Sequence, residues 1–220
     1  MPPKTYIYFK QYEGDFRTMP SYIQGTNSAG VKIVNVHPNN PLKHQKPVVM
    51  ATIVLVDPVT GAPTAIIAAT AITAMRTGAI GGIATKYLAR KSSTTLGLVG
   101  AGTQARTQFS AISKILPLEE VRIYDKFSSK VHSFIEYCQP HHDIAFVPCN
   151  NLEDCVKDTD VISTITPVST PIVENHWISS GTHINAIGAD APGKEELDPK
   201  ILQRGKIVVD DYEQATHSGE

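Results

Sequence analysis

Hydrophobic and polar positions change their spacing near residue 92, which divides the sequence into two halves. After that point, short apolar runs alternate with segments whose apolar positions recur at helical spacing. The strand cores are almost continuously apolar, as in Leu96-Gly-Leu-Val99, which is typical of parallel strands buried on both faces. The pattern predicts strands over residues 96–99, 121–124, 144–147, 161–164, 183–187 and 206–209 and helices over residues 103–115, 128–137 and 152–157.

The sequence pattern of the first half is typical of an antiparallel sheet. Apolar runs over residues 4–9, 31–36, 48–56 and 64–69 are separated by segments rich in proline and asparagine, and the turn-rich residues 57–63 predict a hairpin. Residues 70–90 are rich in alanine and predict a long helix leading into the second half. Its glycines, Gly78, Gly81 and Gly82, indicate a close approach of another backbone.

Alternating strands and helices imply right-handed crossovers, so the predicted fold class is α/β, a doubly wound parallel sheet with a second, incomplete α+β domain. The predicted domains are residues 1–91, which include the linking helix and serve substrate binding and dimerisation, and residues 92–220, which bind a dinucleotide.

Composition narrows the classes of function. A formal net charge of −1 gives no basic footprint for nucleic acid. The three cysteines, Cys138, Cys149 and Cys155, lack CxxC spacing, so reduced thiols are expected, without a disulfide framework or a metal site. Neither a signal sequence nor an apolar run of about 20 residues is present, and we therefore expect a cytoplasmic protein without a membrane partner.

The strongest motif is Gly-x-Gly-x-x-Ala, at Gly100, Gly102 and Ala105, between a predicted strand and a predicted helix. The first glycine permits a tight turn, the second lets a pyrophosphate approach the backbone, and the small third residue lets the helix pack on the strand. This context predicts a Rossmann domain, with Thr103 and Gln104 at the phosphate-binding end of the helix.

A second strand ends at Asp125, about 20 residues beyond the glycines, where the acid that binds the adenosine ribose belongs. A carboxylate there accepts hydrogen bonds from a 2′-hydroxyl and repels a 2′-phosphate, so NAD is predicted as the cofactor in preference to NADP. Lys126 beside it would soften that rejection, and the alternative interpretation of Asp125 is a solvated loop acid.

Three separated motifs carry a resemblance to a known family: AGVKIVNVHPNNP over residues 29–41, MRTGA over residues 75–79 and HINAIGADAPGK over residues 183–194. In order and spacing they resemble the ornithine cyclodeaminase/mu-crystallin family, and in particular its archaeal-type alanine dehydrogenases. The resemblance covers residues 2–220. It implies a homodimeric enzyme with NAD on a Rossmann domain and further residues at both termini, so the chain is expected to be an incomplete catalytic unit.

The resemblance also implies roles for individual residues. Lys4, Arg17 and Lys32 match substrate-pocket positions, and Lys32 stands out because it interrupts an apolar strand, where an unpaired ammonium is costly. Asp190 matches the catalytic acid or base, with a turn aspartate as the alternative. The remaining positions are expected along the cofactor: Arg76, Thr77, Thr164, Thr166, Ile187, Gly188 and Ala189.

The predicted reaction is the reversible oxidative deamination of a small L-amino acid, most simply L-alanine to pyruvate and ammonia. Ornithine-using relatives carry a carboxylate ahead of the Met-Pro that matches residues 19–20, where this chain has Arg17, although a small shift of the loop would present Asp15 to the distal ammonium instead. Relatives commonly carry an acidic residue where this chain has Ala68, so another possible partner of that ammonium is absent. The alternatives are ornithine cyclodeamination, which leaves no net NADH, and a non-catalytic mu-crystallin-like protein that binds a dinucleotide.

Overall fold

The computed structural model describes residues 2–217. The chain divides into two compact units, Met1–Thr73 and Ala74–Glu220, so the observed boundary precedes the predicted one at residues 91 and 92. Most of the predicted linking helix lies in the second unit. The last three residues of the predicted second domain, residues 218–220, lie outside the described residues.

The first unit contains one antiparallel sheet whose strand order follows the sequence, with a short helix between its third and fourth strands. Its elements are β1 (Thr5–Phe9), β2 (Gly14–Ile23), β3 (Ser28–Val36), α1 (Asn40–His44), β4 (Val49–Val56) and β5 (Pro63–Ala68). The antiparallel prediction and the hairpin of β4 with β5 are confirmed. β2 was not predicted, because Asp15 and Arg17 interrupt the apolar alternation on one of its faces.

The second unit contains most of α2 and alternates strands with helices beyond it. Its elements are α2 (Thr70–Leu88), β6 (Thr95–Val99), α3 (Thr103–Ile112), β7 (Glu120–Tyr124), α4 (Ser128–Cys138), β8 (Ala145–Pro148), α5 (Leu152–Val156), β9 (Val161–Thr164), β10 (Ser169–Val173), β11 (His183–Ala186), β12 (Glu195–Leu197), α6 (Pro199–Arg204) and α7 (Tyr212–His217).

Five of these strands form a parallel sheet in the order β11-β9-β6-β7-β8. The chain moves outward from β6 to β7 and β8 and then returns to the other side of β6 with β9. This reversal between β6 and β9 is the switch point of a doubly wound sheet, so the predicted fold class is confirmed. β10 and β12 pair with each other in a separate parallel ribbon.

Both faces of the parallel sheet are buried, as the continuous apolar strand cores predict. On one face, Leu96 and Leu98 pack with Phe109 and Phe134 from α3 and α4. On the other face, Val99 packs in a second cluster that includes residues from α5, α6 and the β10–β12 ribbon. Core burial of this kind fixes the positions of the strand ends, which carry the candidate site.

The glycines of α2 allow close packing on α3, as the sequence predicts. A Cβ atom added to Gly78 would lie 2.4 Å from the backbone oxygen of Thr107, well inside van der Waals contact. Gly81 and Gly82 lie similarly close to Gln108 and Ala111. The three glycines lower the intrinsic helix propensity of α2, but they allow α2 and α3 to pack closely.

The predicted strand over residues 206–209 is wrong. These residues form an irregular segment, in which the side chains of Ile207 and Val208 are 59% and 53% exposed. A run of β-branched residues satisfies the strand pattern, but a strand also needs a neighbouring edge, and in residues 2–217 the parallel sheet ends at β11. Among the described helices, none is both long and apolar enough to cross a membrane.

Candidate functional site

The carboxyl ends of four neighbouring parallel strands bring the predicted cofactor residues of the second unit to one edge of the sheet. Gly100 follows β6, Asp125 follows β7, Thr166 follows β9 and Gly188 follows β11. The backbone N–H of Ile165 donates to the carbonyl of Val99 at 2.8 Å, which joins the loop after β9 to the end of β6 at the switch point. Doubly wound sheets bind their ligands at this position.

The glycine-rich turn has the geometry that its motif predicts. Gly100 has a φ of +104°, and a Cβ atom there would lie 2.9 Å from the backbone oxygen of Ile165, so only glycine fits without strain. Gly102 precedes the first turn of α3, and no described atom lies within 4 Å of the position of an added Cβ. The fully buried Ala105 lets α3 pack on the sheet.

The N-terminus of α3 offers backbone donors to an anion. Gly102 provides no side-chain cap, and in the described part of the chain no side-chain cap hydrogen bond forms at that end. Thr103 is exposed, whereas Gln104 is half-buried and accepts a hydrogen bond from the Thr107 hydroxyl at 3.1 Å. Open space beside uncapped N–H groups at a helix N-terminus fits a dinucleotide pyrophosphate.

The side chain of Asp125, which follows β7, is hydrogen-bonded to the glycine-rich turn. One carboxylate oxygen accepts from the backbone N–H of Ala101 and the other from that of Phe127, both at 3.0 Å. The Asp125 side chain is 11% exposed, and the ammonium of Lys130 lies 4.0 Å from it. Lys126 places its ammonium over the Phe127 ring, 5.0 Å from the centroid. These contacts disfavour the interpretation of Asp125 as a solvated loop acid.

The carboxyl end of β9 carries a buried polar group. The hydroxyl of Thr164 is buried and has no hydrogen-bond partner among the described residues. The Thr164 carbonyl accepts from the backbone N–H groups of Ile187 and Gly188, at 2.9 and 3.1 Å. Thr166 donates through its backbone N–H and its hydroxyl to the carboxylate of Glu196. An unpaired buried hydroxyl at this edge is consistent with a ligand that supplies the missing partner.

Asp190 lies just beyond the buried Ala189 and is exposed. Its backbone N–H donates to the carbonyl of Gly188 at 2.9 Å, and its carboxylate pairs with the Lys194 ammonium at 2.5 Å. The 46% exposure of the Asp190 side chain leaves it accessible to a substrate. The ion pair places a positive charge beside this carboxylate, from a lysine four residues further along the chain.

Two residues of α2 adjoin this edge. Desolvation lowers the pKa of Arg76, while the negative charges of Asp190 and Asp210 oppose that shift. Arg76 therefore lies within electrostatic reach of Asp190. The carbonyl of Thr77 accepts from the side-chain amide of Gln108 at 3.0 Å, which fixes this turn of α2 against α3.

In the first unit, the register of the sheet places Arg17 and Lys32 on one face. Arg17 pairs with Val34 and with Tyr6, while Lys32 pairs with Met19. Because side chains two residues apart on a strand share a face, these residues form diagonal neighbours whose Cα atoms are roughly 7–8 Å apart. Lys4, two residues before Tyr6, is half-buried and precedes β1. The face shared by Arg17 and Lys32 is called the cationic face below.

Arg17 is buried and carries a bidentate ion pair. Its Nε and Nη2 donate to the two carboxylate oxygens of Asp15, each at 2.8 Å, and its guanidinium lies 5.5 Å from the centroid of the Tyr6 ring. Only 3% of Arg17 is exposed. Bidentate pairing of a buried arginine fixes its orientation, so this part of the cationic face is rigid.

Two residues with a place in these networks were missed by the sequence analysis. Glu196 is fully buried, although its neighbours Lys194 and Glu195 give the segment the composition of an exposed turn. Lys194 pairs with Asp190, and its position four residues further along the chain is the signal that could have identified it. Asp15, which the sequence offers as a possible partner of a substrate ammonium, pairs with Arg17 instead.

The described residues contain no group of three or more histidine, cysteine, aspartate or glutamate side chains arranged to hold a metal ion. Cys138, Cys149 and Cys155 are free thiols.

Comparison with known proteins agrees with this geometry. The chain is 48% identical to an alanine dehydrogenase of Archaeoglobus fulgidus, over 100% of this chain and 66% of that protein. The chain thus spans slightly less than two thirds of the length of that relative.

Three solved structures share the fold. One is an archaeal alanine dehydrogenase dimer with bound NAD (TM-score 0.90, 47% identity, 99% of this chain and 65% of that one). Another is the Thermococcus litoralis Δ1-pyrroline-2-carboxylate reductase with NADH and L-proline (0.94, 37%, 99% and 67%). The third is a lysine cyclodeaminase studied for its recognition of L-lysine, L-ornithine and L-2,4-diaminobutyric acid (0.92, 33%, 100% and 64%).

The profile of the ornithine cyclodeaminase/mu-crystallin family matches residues 1–220, the whole of this sequence. The chain therefore belongs to the ornithine cyclodeaminase/mu-crystallin family.

Proposed function

We propose that the chain binds NAD(H) at the carboxyl edge of its parallel sheet. The observation that carries this proposal is the junction of the glycine-rich turn with Asp125, in which the carboxylate accepts from the Ala101 N–H beside the open space at Gly102. Two structural neighbours are described as holding NAD or NADH. The buried, unpartnered hydroxyl of Thr164 at the same edge fits a bound ligand.

In this proposal the chain's residues hold the cofactor in two parts. The N–H groups at the start of α3, from Thr103 and Gln104, bind the pyrophosphate, while Asp125 accepts hydrogen bonds from the adenosine ribose. The loops after β9 and β11, with Thr166, Ile187, Gly188 and Ala189, contact the nicotinamide half. Arg76 and Thr77, on α2, are the remaining residues proposed to contact the cofactor.

We further propose that the protein is an alanine dehydrogenase, which converts L-alanine, NAD and water to pyruvate, ammonia and NADH. NAD, when bound, would supply the acceptor for the hydride that leaves the Cα of alanine. Lys4 and Arg17 bind the substrate carboxylate. Lys32 polarises the carbonyl group or donates a proton to the amine. Asp190 activates the water molecule or transfers the proton. The relative at 48% identity is an alanine dehydrogenase, which favours this substrate.

The test is a screen of the protein against alanine, ornithine, lysine and cyclic imines, with absorbance of NADH as the readout. Alanine-dependent formation of NADH supports the proposal. Conversion of ornithine to proline without net NADH would establish the second candidate, a cyclodeaminase, which the lysine cyclodeaminase neighbour favours. Binding of NADH with no turnover of any substrate would indicate a non-catalytic binding protein.

A homodimer is also proposed for the protein. The support is the archaeal alanine dehydrogenase neighbour, which is described as a dimer. Sedimentation equilibrium at several concentrations tests it, and a monomer at all of them would refute it.

We predict that NADH binds at least about tenfold more tightly than NADPH, because a 2′-phosphate placed against the carboxylate of Asp125 is repelled. The dissociation constants follow from fluorescence titrations with the two cofactors. In an Asp125→Ser variant, the difference between the affinities for NADH and NADPH should become smaller, because the repulsion is removed. The ammonium of Lys130, which lies 4.0 Å from the Asp125 carboxylate, would then attract the 2′-phosphate. Equal affinities in the unsubstituted protein would contradict the assignment of Asp125.

A further inference from the structure

Glu196 lies in β12, outside the parallel sheet, and its side chain is fully buried. One carboxylate oxygen accepts from both the backbone N–H and the hydroxyl of Thr166, each at 2.6 Å. The other oxygen accepts from the backbone N–H of Gly188 at 2.8 Å. A single carboxylate therefore binds two separate loops.

These two loops follow adjacent strands at the candidate site. Thr166 lies two residues beyond the end of β9, and Gly188 lies two residues beyond the end of β11. A Cβ atom added to Gly188 would lie 2.2 Å from the Thr166 backbone oxygen and 2.5 Å from a Glu196 carboxylate oxygen. The loops are thus in contact, and Glu196 fills the space beside them.

The second loop leads directly to Asp190, whose backbone N–H donates to the carbonyl of Gly188. Any change in the position of Gly188 is therefore transmitted over two residues to the Asp190 backbone. Glu196 itself does not need to touch a substrate to affect this carboxylate.

A buried carboxylate is costly unless its oxygens receive hydrogen bonds, so an apolar side chain would be the simpler way to fill this space. What a carboxylate offers in addition is directional, charge-assisted binding of several N–H groups at once. At Glu196 all three of these donors belong to the two loops of the candidate site.

We propose that Glu196 is a positioning residue, which fixes the spacing between the Thr166 and Gly188 loops so that they hold the nicotinamide half of the cofactor and orient Asp190. The inference rests on the proposed binding of NAD(H).

The test is the variant Glu196→Gln in the whole protein, with NADH as the probe. The amide keeps the volume of the side chain but turns an NH₂ donor toward one of the backbone N–H groups, so at least one loop loses its acceptor. We expect the dissociation constant for NADH to rise about tenfold, which corresponds to about 1.4 kcal/mol. The melting temperature is measured in parallel.

Asp160→Asn provides a matched control at the opposite edge of the same sheet. The carboxylate of Asp160 accepts from the backbone N–H groups of Thr94 and Thr95 and from the Thr95 hydroxyl, at 2.9, 3.2 and 3.1 Å. Its replacement removes the ion pair of the other carboxylate oxygen with the Nη2 of Arg90, at 2.6 Å, and the negative charge that strengthens the hydrogen bonds from Thr94 and Thr95. We expect a lower melting temperature with a dissociation constant for NADH within about twofold of the wild type, because the two edges are independent.

A purely structural role for Glu196 predicts the same behaviour in both variants, a loss of stability without a change in affinity, and that result would overturn the inference. If Glu196→Gln does not fold, the variant Glu196→Asp is tested in its place, because the shorter side chain keeps the charge but cannot reach both loops. An unchanged dissociation constant for NADH in Glu196→Asp would also overturn the inference. Failure of the wild-type protein to bind NADH would refute the proposed function itself, whereas normal wild-type binding with an unaffected Glu196→Gln variant refutes only the role of Glu196.

Discussion

Replacement of Asp190 by asparagine is expected to lower the turnover number about 100-fold or more while the affinity for NADH changes little, a loss typical of a missing general acid or base. The amide keeps the size of the side chain but cannot accept a proton. Asp190 is accessible, with 46% of its side chain exposed, and its neighbour Lys194 supplies a positive charge beside the carboxylate. The measurements are steady-state turnover with saturating alanine and NAD, and a fluorescence titration with NADH.

Asp210→Asn is the matched control for this experiment. Like Asp190, Asp210 interacts electrostatically with Arg76, so both variants remove one negative charge from the surroundings of that guanidinium. If Asp190 acts as a proton carrier, the control should stay within about threefold of the wild-type turnover. Equal losses in both variants would show that the charge near Arg76 matters and that Asp190 has no role of its own. Near-normal turnover in Asp190→Asn would return this residue to the role of a turn aspartate.

The parts of this structure that depend on local spacing were predictable from the sequence. The glycine-rich turn is one example, because a strand, two glycines and a small residue at fixed positions leave few backbone paths, and Gly100 adopts the positive φ that the motif requires. The position of Asp125 was predictable from the same strand–helix–strand segment, because β7 pairs with β6 and ends beside it. The close packing of α2 on α3 was indicated by Gly78 for a similar reason.

Features that depend on pairing between distant segments were not predictable. β2 contains Asp15 and Arg17 on its buried face, and the mutual pairing of these side chains, which makes their burial tolerable, is invisible to a hydrophobicity pattern. The segment at Ile207 satisfies the strand pattern and yet forms no strand in the described part of the chain. Glu196 is buried only because loops from two other strands surround its carboxylate.

The charges of the cationic face bear on the proposed choice between alanine and ornithine. Two of the guanidinium nitrogens of Arg17, Nε and Nη2, donate to the two carboxylate oxygens of Asp15. Asp15 is therefore held by Arg17, and its transfer to the distal ammonium of ornithine would break a buried bidentate ion pair, at considerable cost. Lys32 adds a further positive charge on the same face. Ala68 offers no carboxylate at the position where relatives are expected to have an acidic residue.

We therefore expect alanine to be used with a kcat/KM at least about 100-fold higher than that of ornithine, because the distal ammonium of ornithine and the ammonium of Lys32, placed about 6 Å apart, would repel by roughly 3 kcal/mol at an effective dielectric constant near 20. The comparison is made with NADH formation for alanine and proline formation for ornithine. In the variant Arg17→Gln, Asp15 loses its bidentate partner and becomes available to an ammonium, so the preference should narrow about tenfold or more. Efficient conversion of ornithine to proline by the unsubstituted protein, faster than alanine oxidation, would show that the positive charge on this face does not select the substrate, and the assignment as an alanine dehydrogenase would then be wrong.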